Sequence, residues 1–516
     1  MRRHLALTIL ILAVAAQGIF FALYLVPWED ESGYLFLSDL AIRGEIRLFQ
    51  DEMLGERLPL PFYVLGLSQF PSGPSLLAAR LASLALGLAA LGLVYAVGAR
   101  IGGPLSGTLS ACFLASHAMV VGYYATATYH ALCSLIVAAG LWVLWVKGSR
   151  VGAMAIFSLL SLTRANMAVM VPPVLALLWW QEPQPARRWL LAAVAALPPL
   201  SFLLWSPEHW KILAYVPVLD RLVRPLGYES LFHLGGAALT QDAGWRQGLE
   251  WFLRRNLFWC TAGAALTAVW LWARGWGAGR LRWPSGPVAF LGGLLVWMLA
   301  WQVLILRHYP KSVTAWSVSF APLAALLLGY AAARILESLV ILGWVRGWVI
   351  GGLLAVFLLS PTFSTHANMP RPLPEGATTV AGVNAAAKQI RAVVPPGSRV
   401  FLVGMSLPVY LAGSRPYLQQ IIHSWTLVPH GDLAVLRRSG LWGREDIERW
   451  LGREAPYALV QSGRLELYRG LPGYRELAEL MEAHLAARFV PVAEIAMGPS
   501  GAYRLYVRRG GPGGGG

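Results

Sequence analysis

The stretch VGAMAIFSLLSLTRANMAVMVPPVLALLWW, from Val151 to Trp180, decides the fold, because it is an apolar run with an arginine at its middle. It is longer than the roughly 20 residues that one membrane span needs, and rather short for two spans. Basic residues stand on both sides of it, Lys147 and Arg150 before the run and the pair Arg187 and Arg188 after it. Because short basic loops stay in the cytoplasm, the run must cross the membrane an even number of times. It is therefore predicted to be a hairpin of two short helices.

The rest of the topology follows from this hairpin, whose outer tip lies near Arg164. With the other apolar runs, the sequence predicts about eleven spans, since each run approaches the length of a span. Those runs are Leu5–Val26, Ser75–Val97, Leu105–Val121, Tyr129–Val146, Trp189–Trp205, Leu257–Ala273, Pro287–Leu306, Val313–Ala333 and Leu339–Leu359. The N-terminus is then cytoplasmic and the chain after Leu359 is external, with Arg164, Arg307 and Lys311 as the exceptions to the charge rule.

The composition also indicates a polytopic membrane protein. Of the 516 residues, 57% are hydrophobic and 13% are charged, which is about half the charged fraction of a soluble domain. The formal charge of +16 comes from Lys and Arg residues that are scattered between the apolar runs. That pattern sets membrane topology and contacts lipid phosphates, so nucleic acid is not an expected partner.

The N-terminus raises the possibility of a cleaved signal peptide. Arg2 and Arg3 resemble the basic start of such a peptide, and the letters AVAA resemble a cleavage site. However, the apolar run extends to Val26, beyond the 7–15 residues of a signal peptide's apolar region. The run is therefore predicted to be an uncleaved first span.

Two long segments, 27–74 and 206–256, are predicted to lie on the outer side within a membrane domain that covers residues 1–360. In the first, Asp39, Arg43 and Arg47 are four residues apart, with Leu, Ile and Phe on the other face. This pattern predicts an amphipathic helix in the membrane interface. The second contains GWRQGLEWFLRRNLFW, which predicts another such helix.

From Pro361 the composition becomes that of a soluble domain, and residues 361–509 are predicted to form a small external α/β domain. The segments TTVAGVNAAAKQIRAVV and YRELAELMEAHLAARF are predicted helices. The segments SRVFLVG, YALVQS, RFVPVAEIA and AYRLYVRR are predicted strands. The Gly-rich tail 510–516 is a flexible linker without fold information.

Three consecutive carboxylates, Glu29, Asp30 and Glu31, stand where the chain leaves the first apolar run. One interpretation is that they cap the next helix, since acids favour helix N-termini. One acid would suffice for a cap, however, and three crowded carboxylates repel one another. The alternative is a general base, and the cluster can also bind a divalent ion, although no second set of metal ligands stands out.

Arg57 lies near the end of the same segment, just before LPLPFY. It is either a side chain that reaches from an apolar surface to water or a cation that holds a phosphate or diphosphate headgroup. A guanidinium suits the second role because it offers several donors to one anion.

A first span is followed by an Asp-Glu-x-x-Tyr element, formed by Asp30, Glu31 and Tyr34, and by a basic residue ahead of a Pro-x-Pro-x-Tyr element that ends at Tyr63. Later come AARLASLALGLAALGLVYAVGARIGG, VGYYATATYHALCSL and RHYPKSVTAWSVSFAPLAALLLGY. The order of these features resembles the bacterial branch of the GT-C glycosyltransferases, which is related to protein O-mannosyltransferases and to the aminoarabinose transferase of lipid A. The resemblance extends from Leu5 to about Leu359.

The resemblance implies a hexosyl or pentosyl donor carried on a polyprenyl phosphate. The sugar passes to an acceptor protein, glycan or lipid on the outer face of a bacterial inner membrane. Asp30 matches the catalytic acid, with Glu31 as its partner, and Arg57 matches the residue that meets the lipid phosphate. The family often has Lys-Pro-Pro at this point, whereas this chain has RLPLP.

Other residues are expected to bind substrate, and no cofactor is obligatory, although a divalent metal remains possible. They are Tyr34, Tyr63, Arg164, Arg307, His308 and Tyr309. Arg164 is as consistent with a structural role as with a functional one, because a charge within the membrane is costly and needs a partner. Arg80 is more consistent with a structural role.

Two other classes of protein remain open. A carrier or flippase for a lipid-linked sugar would also need Arg57, but it usually shows charged gates within the spans and an internal repeat. A scaffold would use the membrane part only as an anchor, for which about eleven spans are many.

Overall fold

The protein is described from a computed structural model. The structure describes residues 2–27, 29–47, 58–70, 73–215, 219–228, 250, 263, 286–306, 313–338, 351–352, 379–417, 427–429, 431–439, 441–471, 473–496 and 502–510. The chain forms two compact units. The first unit contains residues Met1–Ala22, Arg80–Phe202 and Asp242–Arg371, and the second contains Leu23–Ala79, Leu203–Gln241 and Pro372–Gly516.

The described part of the chain up to Ser338 is helical, as its long apolar runs require. Its α-helices are α1 (Arg2–Tyr24), α2 (Glu29–Ile42), α3 (Pro59–Leu67), α4 (Leu76–Ser116), α5 (Ala118–Tyr124), α6 (His130–Trp145), α7 (Arg150–Ser158), α8 (Ala165–Ala168), α9 (Val171–Gln181), α10 (Pro185–Trp205), α11 (Asp220–Val223), α12 (Gly286–Leu306) and α13 (Val313–Ser338). Short 3₁₀ helices lie at Leu159–Leu162, Pro207–Tyr215 and Arg224–Leu226.

Four stretches within the described helices are long and apolar enough to cross a membrane. They are Leu5–Tyr24, Leu76–Ser116, Pro185–Trp205 and Ser317–Glu337. Shorter apolar helices are His130–Trp145, Arg150–Leu162, Ala165–Gln181 and Gly286–Gln302. The predicted spans Leu257–Ala273 and Leu339–Leu359 lie almost wholly outside the described residues, and the number of about eleven stays a prediction.

The stretch from Val151 to Trp180 forms the predicted hairpin. α7 and its 3₁₀ extension lead to Arg164, which has extended backbone angles (φ −160°, ψ 145°), and α8 and α9 lead back. At the open end, Arg150 Nη1 lies 2.9 Å from Glu182 Oε2. Because this contact brings the two ends of the stretch together, the hairpin prediction is confirmed within the described residues.

The apolar run 76–116 turns at Gly103, which has a φ of +85° and a ψ of 173°. A residue with a Cβ rarely adopts that backbone conformation, and Pro104 follows at once and favours the start of a new helix. The chain therefore divides here into two helical segments, as the two predicted spans Ser75–Val97 and Leu105–Val121 require.

Arg80 of α4 is completely buried, and its Nη1 donates a hydrogen bond of 3.0 Å to the carbonyl oxygen of Ala22. Ala22 lies in the last turn of α1, where carbonyl groups have no partner within the helix and carry partial negative charge. Arg80 thus stabilises the end of α1, which supports the structural interpretation of this residue.

The C-terminal part of the second unit is a five-stranded mixed sheet with the order β2-β1-β3-β5-β4. The strands are β1 (Arg399–Val403), β2 (Arg415–Pro416), β3 (Tyr457–Gln461), β4 (Phe489–Ala496) and β5 (Ala502–Arg508). β1 pairs in parallel with β2 and β3, whereas β5 pairs antiparallel with β3 and β4. All five residues of β3 are buried because it is the central strand. The four strands predicted from sequence are present.

Helices cover this sheet, and the two predicted from sequence are present. The helices are α14 (Val380–Val393), α15 (Leu407–Leu411), α16 (Leu433–Arg438), α17 (Arg444–Arg449), α18 (Arg464–Arg469) and α19 (Arg475–Arg488), and a π-helical turn covers Trp450–Glu454. Thr379 caps α14 by accepting a hydrogen bond from the backbone N–H of Gly382, as threonine commonly does at this position. Met481 and Leu485 of α19 pack with Trp450 in the core.

The predicted interfacial helix around Asp39 requires a correction. A helix is present as α2, and Asp39 pairs with Arg43 over 3.0 Å as the spacing indicated. However, every residue from Glu31 to Leu40 is buried, so α2 does not present one face to lipid and the other to water. The predicted second interfacial helix, 244–259, lies outside the described residues except for Glu250.

Candidate functional site

The three acids form the first turn of α2, which begins at Glu29. The partial positive charge of a helix N-terminus stabilises carboxylates, so the capping interpretation is supported by this position. Burial distinguishes the next two acids, because Asp30 is partly exposed and Glu31 is completely buried. Of these two side chains, Asp30 is accessible and Glu31 is not, and their catalytic roles stay predictions.

Tyr34 lies one turn beyond Asp30 and is completely buried. Its ring packs against Phe62 of α3 with 4.8 Å between the ring centroids. Tyr63, which follows Phe62 in the chain, is 44% exposed and so faces away from the contact between Tyr34 and Phe62. Of these two predicted substrate-binding tyrosines, Tyr34 supports the packing of α2 on α3 and Tyr63 is accessible.

The two helices approach closely at Gly66 of α3. A Cβ at this position would lie 2.7 Å from the carbonyl oxygen of Ser38 and 2.5 Å from the side chain of Ile42. The backbone of α3 can therefore rest directly on α2 only because this residue is glycine. This contact fixes α2 relative to the Pro-x-Pro-x-Tyr element that forms α3.

Arg164 belongs to the first unit and is only 6% exposed, so it does not reach water as a surface side chain. Its guanidinium carbon lies 4.6 Å from the ring centroid of Tyr129, a cation–π contact that is strengthened where water is excluded. Tyr129 in turn lies 4.1 Å from the ring of His130. His130 Nδ1 is 3.1 Å from the hydroxyl oxygen of Ser319 on α13.

These contacts form an arginine–aromatic cluster, which we define as Arg164, Tyr129, His130, Tyr123 and Ser319. Tyr123 completes it with an edge-on ring 4.6 Å from His130. A buried cation beside aromatic faces suits a phosphate or a sugar ring, although a structural role for Arg164 is also consistent with the contacts. His130 lies in the aromatic-rich stretch VGYYATATYHALCSL, which is the part of the sequence that indicates this cluster.

Four predicted substrate-binding residues lie outside the described residues, and their assignments stay predictions. They are Arg57, Arg307, His308 and Tyr309. Among the described residues, no group of three or more His, Cys, Asp or Glu side chains is placed to hold a metal ion. Cys112 and Cys133 are buried free thiols, as expected of small core residues.

The fold is similar to proteins of known structure. No protein-family model matches the chain, and no curated protein does. The chain is similar to ArnT from Cupriavidus metallidurans bound to undecaprenyl phosphate, with a TM-score of 0.54, 15% identity and 98% of each chain covered. It is also similar to the oligosaccharyltransferase of Archaeoglobus fulgidus tethered to an acceptor peptide, with a TM-score of 0.48, 13% identity, 98% of this chain covered and 74% of the other.

The ArnT comparison is the one on which the assignment of fold depends. It includes both the helical part and the C-terminal sheet, since only 2% of either chain could fall outside it. An apolar helical part followed by a small mixed sheet is also what the described residues show. The chain therefore shares the overall fold of that ArnT structure over nearly its whole length, which agrees with the fold that the sequence resemblance implied.

Proposed function

We propose that this protein is an integral membrane glycosyltransferase that moves a sugar from a polyprenyl-phosphate carrier to an acceptor. The observation that supports this most strongly is the likeness to ArnT, whose structure holds undecaprenyl phosphate. A shared fold alone does not carry a function. The proposal therefore also depends on the chemistry of the acids on α2 and of the cations predicted to meet the carrier.

In the proposed reaction the acceptor loses a proton to the carboxylate of Asp30 as its oxygen or nitrogen attacks the anomeric carbon. The bond between that carbon and the phosphate oxygen breaks, and the carrier phosphate leaves with the bonding electrons. A positioned base contributes about 10²–10⁴-fold to the rate of such a step. Asp30 is suited to it because its side chain is partly exposed at the N-terminus of a helix.

The departing phosphate requires fixed positive charge, which stabilises it as negative charge develops. Arg57 is assigned to this role, with Arg164 or Arg307 as helpers. The guanidinium of Arg164 is held in the arginine–aromatic cluster, where its interaction with an anion is stronger than in water. Tyr63, His308 and Tyr309 are assigned to the binding of donor or acceptor.

In this proposal the protein lies in a bacterial inner membrane with the N-terminus in the cytoplasm. The acids and the C-terminal domain then face the outer side, where the acceptor protein, glycan or lipid is found. In this proposal no cofactor is obligatory, and the sugar is either a hexose or a pentose.

The proposal is tested by identifying the lipid that the protein retains on purification in mild detergent. We expect mass spectrometry of the wild-type protein to find a polyprenyl-phosphate sugar, which is lost in Arg57→Ala. Arg100→Ala is the matched control, because it removes an exposed arginine from α4. Only bulk phospholipid in all three proteins would contradict the donor assignment and favour the scaffold. Retention of a lipid-linked sugar without any transfer would favour the carrier or flippase.

A further inference from the structure

The first turn of α2 is held by the C-terminal sheet domain through a contact between two serines. Ser406 Oγ donates a hydrogen bond of 3.0 Å to Ser32 Oγ, and the two residues are 374 positions apart in the chain. Both are buried, at 3% and 0% exposure. Because Ser32 directly follows Glu31, this bond restrains the turn that carries the acids.

A second contact lies one helical turn further along both segments. The ring of Tyr410 on α15 meets the ring of Phe36 edge-on, with 5.4 Å between the centroids and 74° between the planes. Residues four apart share a helix face, so Ser32 and Phe36 lie on one side of α2. α15 and the residue before it therefore contact α2 at two successive turns.

The hydroxyl end of Tyr410 lies near Asp39, one turn beyond Phe36 on α2. Burial raises the pKa of Tyr410, and the negative charge of Asp39 raises it further, although Arg43 opposes this. The phenol therefore stays neutral over the physiological range. Beyond the helix, Arg415 on β2 forms an ion pair with Glu45, which extends the contact past the end of α2.

The segment that holds α2 is itself fixed by the sheet. The hydroxyl of Tyr503 on β5 accepts a hydrogen bond of 2.7 Å from the N–H of Met405 and donates one of 3.1 Å to its carbonyl oxygen. Gly404 before it has a φ of +138°, and a Cβ there would lie 2.8 Å from Gln461. Ser406 thus follows a turn whose position is set by β3 and β5.

We propose that Ser406 and Tyr410 are positioning residues for the transfer reaction, which hold the first turn of α2 so that Asp30 meets the acceptor. The C-terminal domain then serves the chemistry directly, as well as adding buried surface. This inference rests on the proposed function, because Asp30 is its base. The competing interpretation is that the contact between α15 and α2 only contributes to stability.

The test has one part that does not depend on activity. Hydrogen–deuterium exchange on the full-length protein in detergent compares wild type with Ser406→Ala. We expect the amides of residues 29–36 to exchange about tenfold faster, since one buried hydrogen bond is lost. Ser406→Thr keeps the hydroxyl and should restore protection. Ser414→Ala is the matched control, because it also removes a buried hydroxyl from this domain. That hydroxyl has no hydrogen-bond partner among the described residues.

The second part measures release of the carrier from the lipid-linked sugar that copurifies with the wild type, with water accepting the sugar. It also measures binding of undecaprenyl phosphate as the probe. Ser406→Ala, which loses the hydrogen bond to Ser32, and Tyr410→Ala, which loses the ring contact with Phe36, should each lower kcat by about tenfold. The Kd of the probe should stay within about twofold, because these contacts restrain the base and not the lipid. A merely structural contact would instead lower the fraction of folded protein and leave kcat per active molecule unchanged.

The outcomes separate the inference from the proposed function. Unchanged exchange of residues 29–36 in Ser406→Ala overturns the positioning role whatever the activity. Faster exchange with an unchanged kcat overturns it as well, while loss of turnover in Asp30→Asn would leave the proposed function standing. A wild-type protein that shows no turnover overturns the proposed function, and with it the role of Ser406 and Tyr410.

Discussion

Arg150 Nη1 and Glu182 Oε2 lie 2.9 Å apart and join the two ends of the hairpin that Arg164 divides. Glu182 is almost fully buried, whereas the side chain of Arg150 is 37% exposed. Arg188 adds to the junction, since its Nε donates a hydrogen bond to the backbone carbonyl of Glu182. Arg150 and Arg188, two of the basic residues from which the hairpin was predicted, therefore also hold its two ends together.

The ion pair predicts a pH dependence of stability. The hydrogen bond from Arg150 holds the pKa of Glu182 below its usual range. A carboxyl whose pKa is lowered by folding stabilises the protein above its unfolded pKa, and this contribution is lost as pH falls through the folded value. We expect the Tm in detergent to decrease when the pH is lowered below about 4.5, and this decrease to be smaller in Glu182→Gln. An unchanged acid dependence in the variant would contradict the assignment.

The same pair predicts a coupling between two substitutions. Arg150→Ala and Glu182→Ala should each lower the Tm, and the double variant should lower it by less than the sum, since the two side chains share one interaction. Arg150→Lys keeps the charge and should retain part of the stability. Additive effects of the two alanine substitutions would show that the ion pair does not hold the hairpin.

The close approach of α3 to α2 predicts that Gly66→Ala is destabilising. A Cβ there would meet the carbonyl oxygen of Ser38 at 2.7 Å, and such overpacking costs about 1–3 kcal/mol. Gly92→Ala on α4 is the matched control, because nothing lies within 4 Å of its Cβ and alanine favours a helix by about 0.5–1 kcal/mol. Thermal unfolding of both variants measures the difference. Equal stability would mean that α2 and α3 are not in backbone contact.

Arg80 and Arg164 are both buried arginines in the first unit, and they predict opposite phenotypes. Arg80→Ala leaves the carbonyl of Ala22 without its donor, at a cost of about 1–3 kcal/mol, and should leave binding of undecaprenyl phosphate unchanged. Arg164→Ala should weaken that binding by at least tenfold, because a charge-assisted hydrogen bond contributes more than a neutral one. Arg164→Lys should recover only part of it, since lysine lacks the planar fork.

Thermal unfolding and a binding titration on the same preparations distinguish the two. If Arg164→Ala lowers the Tm as much as Arg80→Ala and binds the lipid phosphate normally, the structural interpretation of Arg164 is correct. The arginine–aromatic cluster would then be a packing feature of the hairpin.

Much of the fold could be predicted from sequence because the signals are local. Lys147, Arg150, Arg187 and Arg188 define the hairpin through charge alone. The strands of the C-terminal sheet are short apolar runs between turns, which is a pattern that sequence shows directly.

The surroundings of the acids could not be predicted, because they depend on residues far away in the chain. The pattern around Asp39 predicted an interfacial helix, since sequence shows alternate faces but not what covers them. Ser406 and Tyr410 cover one part of α2 and Gly66 another. The three adjacent letters likewise do not show that Asp30 is partly exposed and Glu31 buried.

The central claim is tested most directly by the transfer rate of Asp30→Asn, with the copurified lipid-linked sugar as donor. Asparagine keeps the shape of the side chain but cannot take the acceptor's proton, so we expect the rate to fall by about 10²–10⁴-fold. The variant should still retain the donor lipid. Asp220→Asn, a carboxylate in the segment 206–256, should transfer at the wild-type rate. Transfer by Asp30→Asn at the wild-type rate would contradict the assignment of Asp30 as the base.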